Sequence, residues 1–377
     1  MNNAQMIHGN HNTNKNPLYI AFDLSDATWK TVSGNGIKKR QKNIAARDTK
    51  ALEAEIARAK QKFGMSEDVE IYSCYEAGRD GFWLHRFLES IGITSLVVDS
   101  SSIEVTRRKR RAKTDRIDAV KLYEMLIRYV EGERKAWSVV YVPKPEQEDA
   151  RRLYRERQRL KKERTAHTNR IKSLLILQGV RMQIGRSFLQ DLEQVRLWND
   201  QHLPEHVQQE ILREHSRYQL VVEQLKALEQ DKQVQVSAGT EPARQIKALE
   251  RLRGVGPVSS WALVIEFFGW RRFRNVKQVG AAAGLAPTPH SSGNMETELG
   301  ISKAGNPRIR CLMVELAWGW LRYQGQSSLS QWYQKRFGMG GKRMRRIGIV
   351  ALARKLLVAL WKYLEAGLVP DGARLKV

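Results

Sequence analysis

Four acids in the first third of the chain stand where carboxylates can do phosphoryl chemistry. Asp23 closes the apolar run LYIAFDL at 18–24, and Glu76 ends VEIYSCYE at 69–76. Asp115 and Asp118 lie three apart at the start of an expected helix, a spacing that puts both on one face. Acids at the carboxyl ends of neighbouring strands and on an adjoining helix can converge on one crevice, where hard oxygens hold Mg2+ or Mn2+. Two such ions can activate a nucleophile and stabilise a leaving oxygen. An acid beside so apolar a strand has to be paired, hydrated or metal-bound, which singles out Asp23 and Glu76. A helix-capping or first-turn role is the plain alternative for Asp115, and Asp26, Asp80 and Asp99 are possible substitutes.

A second group of candidates lies in the last third. The segment GLAPTPHSSGN places Ser291 and Ser292 in a Gly/Pro/Ser-rich stretch, 284–306, which reads as a long loop. A hydroxyl there can approach a backbone phosphate but needs a base or metal to become a good nucleophile. Lys303, Arg308 and Arg310 follow and could neutralise a scissile phosphate, while His290 is a candidate proton shuttle. Upstream, LERLRGVGPVSSWALVIEF breaks at Gly254-Val255-Gly256 and resumes after Pro257, the pattern of a helix-hairpin-helix. Its glycines permit a tight turn, and exposed amides at the second helix can bind DNA phosphate without reading sequence.

These groups sit in a chain of 377 residues with 65 Lys+Arg against 40 Asp+Glu, a net charge of +25. An excess of that size favours a polyanionic partner, nucleic acid first, and is too basic for an ordinary metabolic enzyme. The 42% hydrophobic content exceeds that of a disordered basic tail, and no run of about 18 apolar residues suggests a membrane span. Cys74 and Cys311 are too few for a disulfide framework or a four-cysteine zinc site. A reducing cytoplasm fits.

The elements follow from pattern. Residues 1–17 are expected to form a disordered leader, polar and without the apolar core of a signal peptide. Strands at 18–24, 69–75 and 94–98, a meander up to 46 and helices at 48–63 and 80–90 predict a mixed α/β sheet with flanking helices over 18–145. Between 146 and 240 the β signal vanishes: Val207, Ile211, Glu214, Tyr218, Val221, Leu225 and Leu228 alternate in steps of four and three, a coiled-coil seam with one polar member. The segment 151–172 carries ten basic residues opposed by Glu156 and Glu163, so Arg157, Arg159, Lys161 and Lys162 are expected to track phosphates. Residues 241–377 are again helical, and Lys342, Arg343, Arg345 and Arg346 form a second basic cluster.

FDLS at 22–25, YEAG at 75–78 and KTDRIDA at 113–119 resemble the DEDD motif of the insertion sequence 110 family of transposases. GLAPTPHSSG and GISKAGNPRIR resemble that family's C-terminal transposase domain, and together the likeness spans nearly the whole chain after residue 17. It implies a RuvC- and RNase H-like N-terminal domain whose metal-binding acids map to Asp23, Glu76, Asp115 and Asp118. It implies a serine nucleophile at Ser292, with Ser291 the close competitor. The family excises and inserts its own mobile element, forms dimers that pair into tetramers, and is guided by a structured non-coding bridge RNA; a cytoplasmic, nucleoid-associated protein is then expected. Two other classes are carried beside it: a RuvC-like nuclease that uses metal-activated water, leaving the serine structural, and a non-catalytic nucleic-acid-binding protein whose acids are caps.

Overall fold

The computed structural model describes residues 16–78, 80–103, 115–292 and 295–376; within these, the side chains of 101, 115–118, 289–292 and 295–299 are outside the description. The chain divides into two compact units, 1–142 and 143–377. The helical middle and the C-terminal region, read above as separate stretches, fall in the same unit.

In the first unit, strands β1 (Leu18–Leu24), β2 (Thr28–Gly34), β3 (Lys39–Ala45), β4 (Ile71–Glu76) and β5 (Thr94–Val98) form one sheet in the order β3-β2-β1-β4-β5. The β1–β2–β3 meander is antiparallel, whereas β1, β4 and β5 run parallel. Parallel strands need crossovers, and α1 (Thr49–Lys62) and α2 (Trp83–Ser90) supply them. Asp48 caps α1 by accepting from Ala51 N at 2.9 Å.

Both faces of β1 are covered, which is why LYIAF reads as an unbroken apolar run. Leu18, Ile20 and Phe22 pack with Leu52, Leu84 and Leu88 on one side. Tyr19 and Ala21 pack on the other against Leu122, Tyr123 and Leu126 of α3 (Asp115–Val130). Cys74, buried on that second face, is pushed up from the usual thiol range by desolvation, and Cys311 is exposed; both are free.

The second unit is helical apart from one hairpin. Helices α4 (Pro145–Leu177) and α6 (Glu205–Ser237) are 33 residues each, with short α5 (Phe188–Gln194) between them. Leu160 packs with Val221 and Leu228 while Ile171 packs with Ile211, so the long pair is antiparallel. All seven expected seam positions of α6 are buried or half-buried. Its polar member, Glu214, is satisfied by His167 at 2.6 Å, Arg170 at 3.0 Å and Arg217 at 2.5 Å.

The main core of this unit lies among α7 (Glu241–Glu250), α8 (Pro257–Leu263), α9 (Val276–Ala282), α10 (Pro307–Tyr323), α11 (Ser328–Tyr333) and α12 (Lys342–Ala366), around Trp261, Phe267, Trp320 and Leu356. A π-helical turn, Val264–Phe268, continues α8. No helix among the described residues is long and apolar enough to cross a membrane.

The stretch 284–306, expected as a loop, instead contains the antiparallel strands β6 (Pro287–Ser292) and β7 (Met295–Ile301). β6, PTPHSS, has prolines and polar residues and no apolar alternation, whereas β7, METELGI, alternates Met295, Thr297, Leu299 and Ile301 with Glu296, Glu298 and Gly300. The Gly293-Asn294 dipeptide between the strands is the hairpin signal that was there to be read.

Candidate active site

Phe22 pairs with Tyr75 across the parallel β1–β4 ladder, so the next residues, Asp23, one before the end of β1, and Glu76, the last of β4, lie at the carboxyl ends of neighbouring strands. Strand residues alternate between faces. Tyr19 and Ala21 of β1 and Tyr72 and Cys74 of β4 belong to the cluster under α3, so Asp23 and Glu76 fall on the α3 face as well. Asp23 is half-buried and Glu76 exposed.

Helix α3 runs counter to β1. Cys74 Sγ, level with Ala21, is 3.6 Å from Leu122 O, and the Tyr123 hydroxyl accepts from Gly36 N at 3.2 Å, toward the start of β1. Going back four residues from Leu122 to Asp118 is about 6 Å along a helix. Going forward two from Ala21 to Asp23 is about 6.6 Å along a strand. The first turn of α3 therefore comes level with Asp23; the side chains of Asp115 and Asp118 themselves lie outside the described residues. Two competing acids have other work: Asp26 lies 3.0 Å and Asp80 3.8 Å from Arg47. Asp99 follows β5, where its backbone N donates to Ser138 O.

Asp23 and Glu76 supply hard carboxylate oxygens of the kind Mg2+ and Mn2+ take. Among the described residues no group of three His, Cys, Asp or Glu side chains forms a metal cluster; the side chains of Asp115 and Asp118 lie outside them. The donor chemistry fits a divalent ion.

In the second unit, Ser292 pairs with Met295 and Ser291 with Glu296, which places Ser292 at the end of β6 beside the turn; the side chains of both serines and of His290 lie outside the described residues. The base of this hairpin is tightly built. Ser302 N donates to Ala286 O, Lys303 N to Gly284 O, and Asn306 N to Ala282 O at 2.9, 3.2 and 2.8 Å. Gly305 has φ +119°, and a Cβ there would lie 2.5 Å from Ala282 O. Arg310 Nη1 donates to Lys303 O at 2.9 Å, leaving exposed Lys303 as the freer cation, and Arg308 Nε donates to Gln158 Oε1 at 3.1 Å.

The sequence reading missed what anchors this base. Glu266 in the π turn is fully buried and takes a bidentate pair from Arg155 of α4 at 2.7 and 3.0 Å. Asn306, which caps α10 by accepting from Arg308 N and Ile309 N, donates to Glu266 O at 3.4 Å. One acid inside the apolar run WALVIEFF was the available signal, since a buried carboxylate requires a partner.

The expected phosphate-binding residues are not equivalent. Arg157 is 3.7 Å from Glu229 of α6, and Arg159 lies near Glu156 and Glu163. Lys161 and Lys162 are exposed and have no acid partner among the described residues, as are Lys342, Arg343, Arg345 and Arg346 in the first turns of α12. Cations at a helix N-terminus oppose its dipole, so that last cluster is costly without an anion. Gly254 takes φ +92° between α7 and α8, and Gly256 precedes α8 as its N-cap. The end of the chain closes onto this turn: Arg253 N donates to Arg374 O at 3.1 Å and Lys376 Nζ to Val255 O at 2.8 Å.

Comparison with known proteins completes the picture. Residues 246–334 match a family described as Transposase IS116/IS110/IS902 family, and residues 25–178 match the DEDD transposase family of IS110 type. The second match begins two residues after Asp23 and includes Glu76, Asp115 and Asp118. The chain is 40% identical to y4rJ of Sinorhizobium fredii, a transposase by name, over 95% of this chain and 94% of that protein. It is 25% identical to the transposase for insertion sequence element IS1533 of Leptospira borgpetersenii, over 92% and 96% of the two chains. It is 27% identical to the transposase for IS1111A of Coxiella burnetii, over 76% and 75%.

Proposed function

The chain belongs to the IS116/IS110/IS902 family of transposases, and we propose that it cuts and rejoins DNA through Ser292 with the help of a metal site at Asp23, Glu76, Asp115 and Asp118. The observation that carries this reading lies at the carboxyl ends of the first unit's central strands. There two acids sit on adjacent parallel strands, on the face covered by α3 and at the level of that helix's first turn.

In the proposed reaction the Ser292 hydroxyl oxygen forms a bond to phosphorus, the bond from phosphorus to one deoxyribose oxygen breaks, and the hydroxyl's proton passes, by way of solvent, to that departing oxygen. One phosphodiester replaces another, so the reverse attack by a new DNA end rejoins the strand without a nucleotide cofactor. Mg2+ or Mn2+ bound by the four acids would neutralise charge on the phosphoryl oxygens. Ser292 ends β6 at the far end of the hairpin from its base, where a backbone phosphate can come close. Lys303 offers positive charge at the base of the hairpin, while Arg308 and Arg310 brace α10 and the segment before it. Lys161, Lys162 and the cluster at 342–346 hold nucleic-acid backbone, with Gly254 and Gly256 as a further phosphate contact.

A structured non-coding RNA chooses the sites in this proposal. Delegating sequence to base pairing suits a chain whose basic residues lie in clusters and which carries no zinc-finger pattern. Assembly into dimers that pair as a tetramer on DNA, in the cytoplasm at the nucleoid, belongs to the same reading. Asp23→Asn and Glu76→Gln test it: each should abolish strand cleavage while RNA binding persists. Normal cleavage by either variant would remove that acid from the site.

A further inference from the structure

A concentration of positive charge lies where α4 meets the segment after the π turn, apart from the clusters assigned above. The Arg151 guanidinium stacks 4.6 Å from the Trp270 ring centroid, and Arg271 stacks 4.3 Å from the same ring and 5.3 Å from Phe267. Arg151 and Trp270 are each only 6% exposed. Arg151 Nε has no hydrogen-bond partner. The one fully buried acid nearby, Glu266, is already committed to Arg155 and Asn306. Around this core Arg152, Arg272, Arg274 and Lys277 are exposed and have no acid partner among the described residues.

A guanidinium withdrawn from water without a hydrogen-bonded acid is unfavourable, and stacking on an indole offsets only part of that. Burial and the like charge of Arg155 pull the Arg151 guanidinium below its usual range, and the opposing pull of Glu266 and Glu148 offsets only part of this. An arginine held at this cost, beside the exposed Arg152, Arg272 and Arg274, is suited to an anion absent from the free chain. Arginine forks match phosphate oxygens bidentately, which points to a phosphodiester strand.

We infer that Arg151, Trp270 and Arg271, with the exposed Arg272 and Arg274, form a clamp for a nucleic-acid backbone beside the base of the serine hairpin. The inference rests on the reading of the protein as a nucleic-acid-processing transposase. Placement follows from Glu266, which joins Arg155 of the clamp's helix to Asn306 of the hairpin base. A strand seated on the clamp is therefore one buried side chain away from that base.

The test uses the full chain carrying Arg272→Ala and Arg274→Ala, with melting checked against the parent. A charge-matched control carries Arg213→Ala and Lys226→Ala, two exposed cations of α6. Affinity is measured against salt for a duplex DNA and for a structured RNA. Each lost phosphate contact should flatten the log–log slope on duplex DNA by about 0.9. Two lost contacts then amount to about 12-fold less affinity lost over a fourfold rise in salt. Flattening on DNA, on RNA or on both supports the clamp and identifies the strand it holds. If the parent binds but the clamp variant keeps its slope on both, or the control flattens equally, the inference is overturned. A parent that binds neither would overturn the nucleic-acid reading together with the clamp.

Discussion

Replacing Arg155 with Met leaves the fully buried Glu266 carboxylate with only the long contact from Asn306 at 3.5 Å. Breaking a buried pair in this way costs about 3–5 kcal/mol, because the remaining charge is uncompensated. At about 2–4 °C per kcal/mol for a unit of this size, the melting temperature of the second unit should fall by roughly 6–20 °C. Changing both partners to apolar residues, Arg155→Met with Glu266→Leu, removes the orphaned charge. The double variant should therefore lose less than Arg155→Met alone. Thermal unfolding of the parent, both single variants and the double closes the cycle. Losses that simply add would show that the pair is not what fastens α4 to the hairpin base, and the structural reasoning above would fail.

Burial pushes the Glu214 carboxyl up, but bonds from His167, Arg170 and Arg217 outweigh it and hold the group at about 2, against an ordinary 4.5. With the folded value below the unfolded one, this stabilisation is complete above pH 4.5 and disappears as pH falls toward 2. Glu214→Gln should flatten the acid limb of the melting curve by about 1–3 kcal/mol; the lower figure allows for solvent screening of Arg170 and Arg217, and an unchanged limb would refute the assignment. Lys161→Ala with Lys162→Ala should flatten the salt dependence of DNA binding more than Arg157→Ala, whose guanidinium already faces Glu229; equal effects would contradict that ranking. Gly305→Ala should destabilise the second unit by more than Gly300→Ala, since a Cβ at 305 meets three backbone atoms within 2.8 Å and one at 300 meets nothing within 4 Å; equal melting temperatures would mean that the hairpin base is not tightly built.

Much of the first unit was legible because burial on two faces leaves a plain apolar signature. LYIAF and IYSCY sit in the centre of the sheet, and the acids that end them stand out against that background. The choice between Asp23 and its neighbours was not legible. What sets Asp26 and Asp80 apart is Arg47, which reaches both from a turn more than twenty residues away from either in the chain. In the second unit the four-and-three spacing of α6 marked positions that are buried or half-buried, and the acid among them, Glu214, is matched by three donors too far away in the chain or too ordinary in type to be singled out beforehand. The hairpin β6–β7 was missed because the Pro/Ser-rich β6 masks it, although Gly293-Asn294 and the alternation of METELGI point to it. Glu266 and Arg155 lie 111 residues apart, so no local pattern could have joined them. The WRRFRN segment at 270–275 showed its charge in the sequence, yet only the packing of Trp270 between Arg151 and Arg271 gives that charge a place.

The central claim is that Ser292 becomes covalently joined to DNA. Purified protein with its guide RNA should be incubated with a suicide DNA substrate and Mg2+, and the trapped product digested for mass spectrometry. The account predicts a phosphoserine link at Ser292, lost together with cleavage in Ser292→Ala and retained at least in part in Ser291→Ala. Robust cleavage by Ser292→Ala, giving free DNA ends and no protein adduct, would contradict it and favour hydrolysis by metal-activated water.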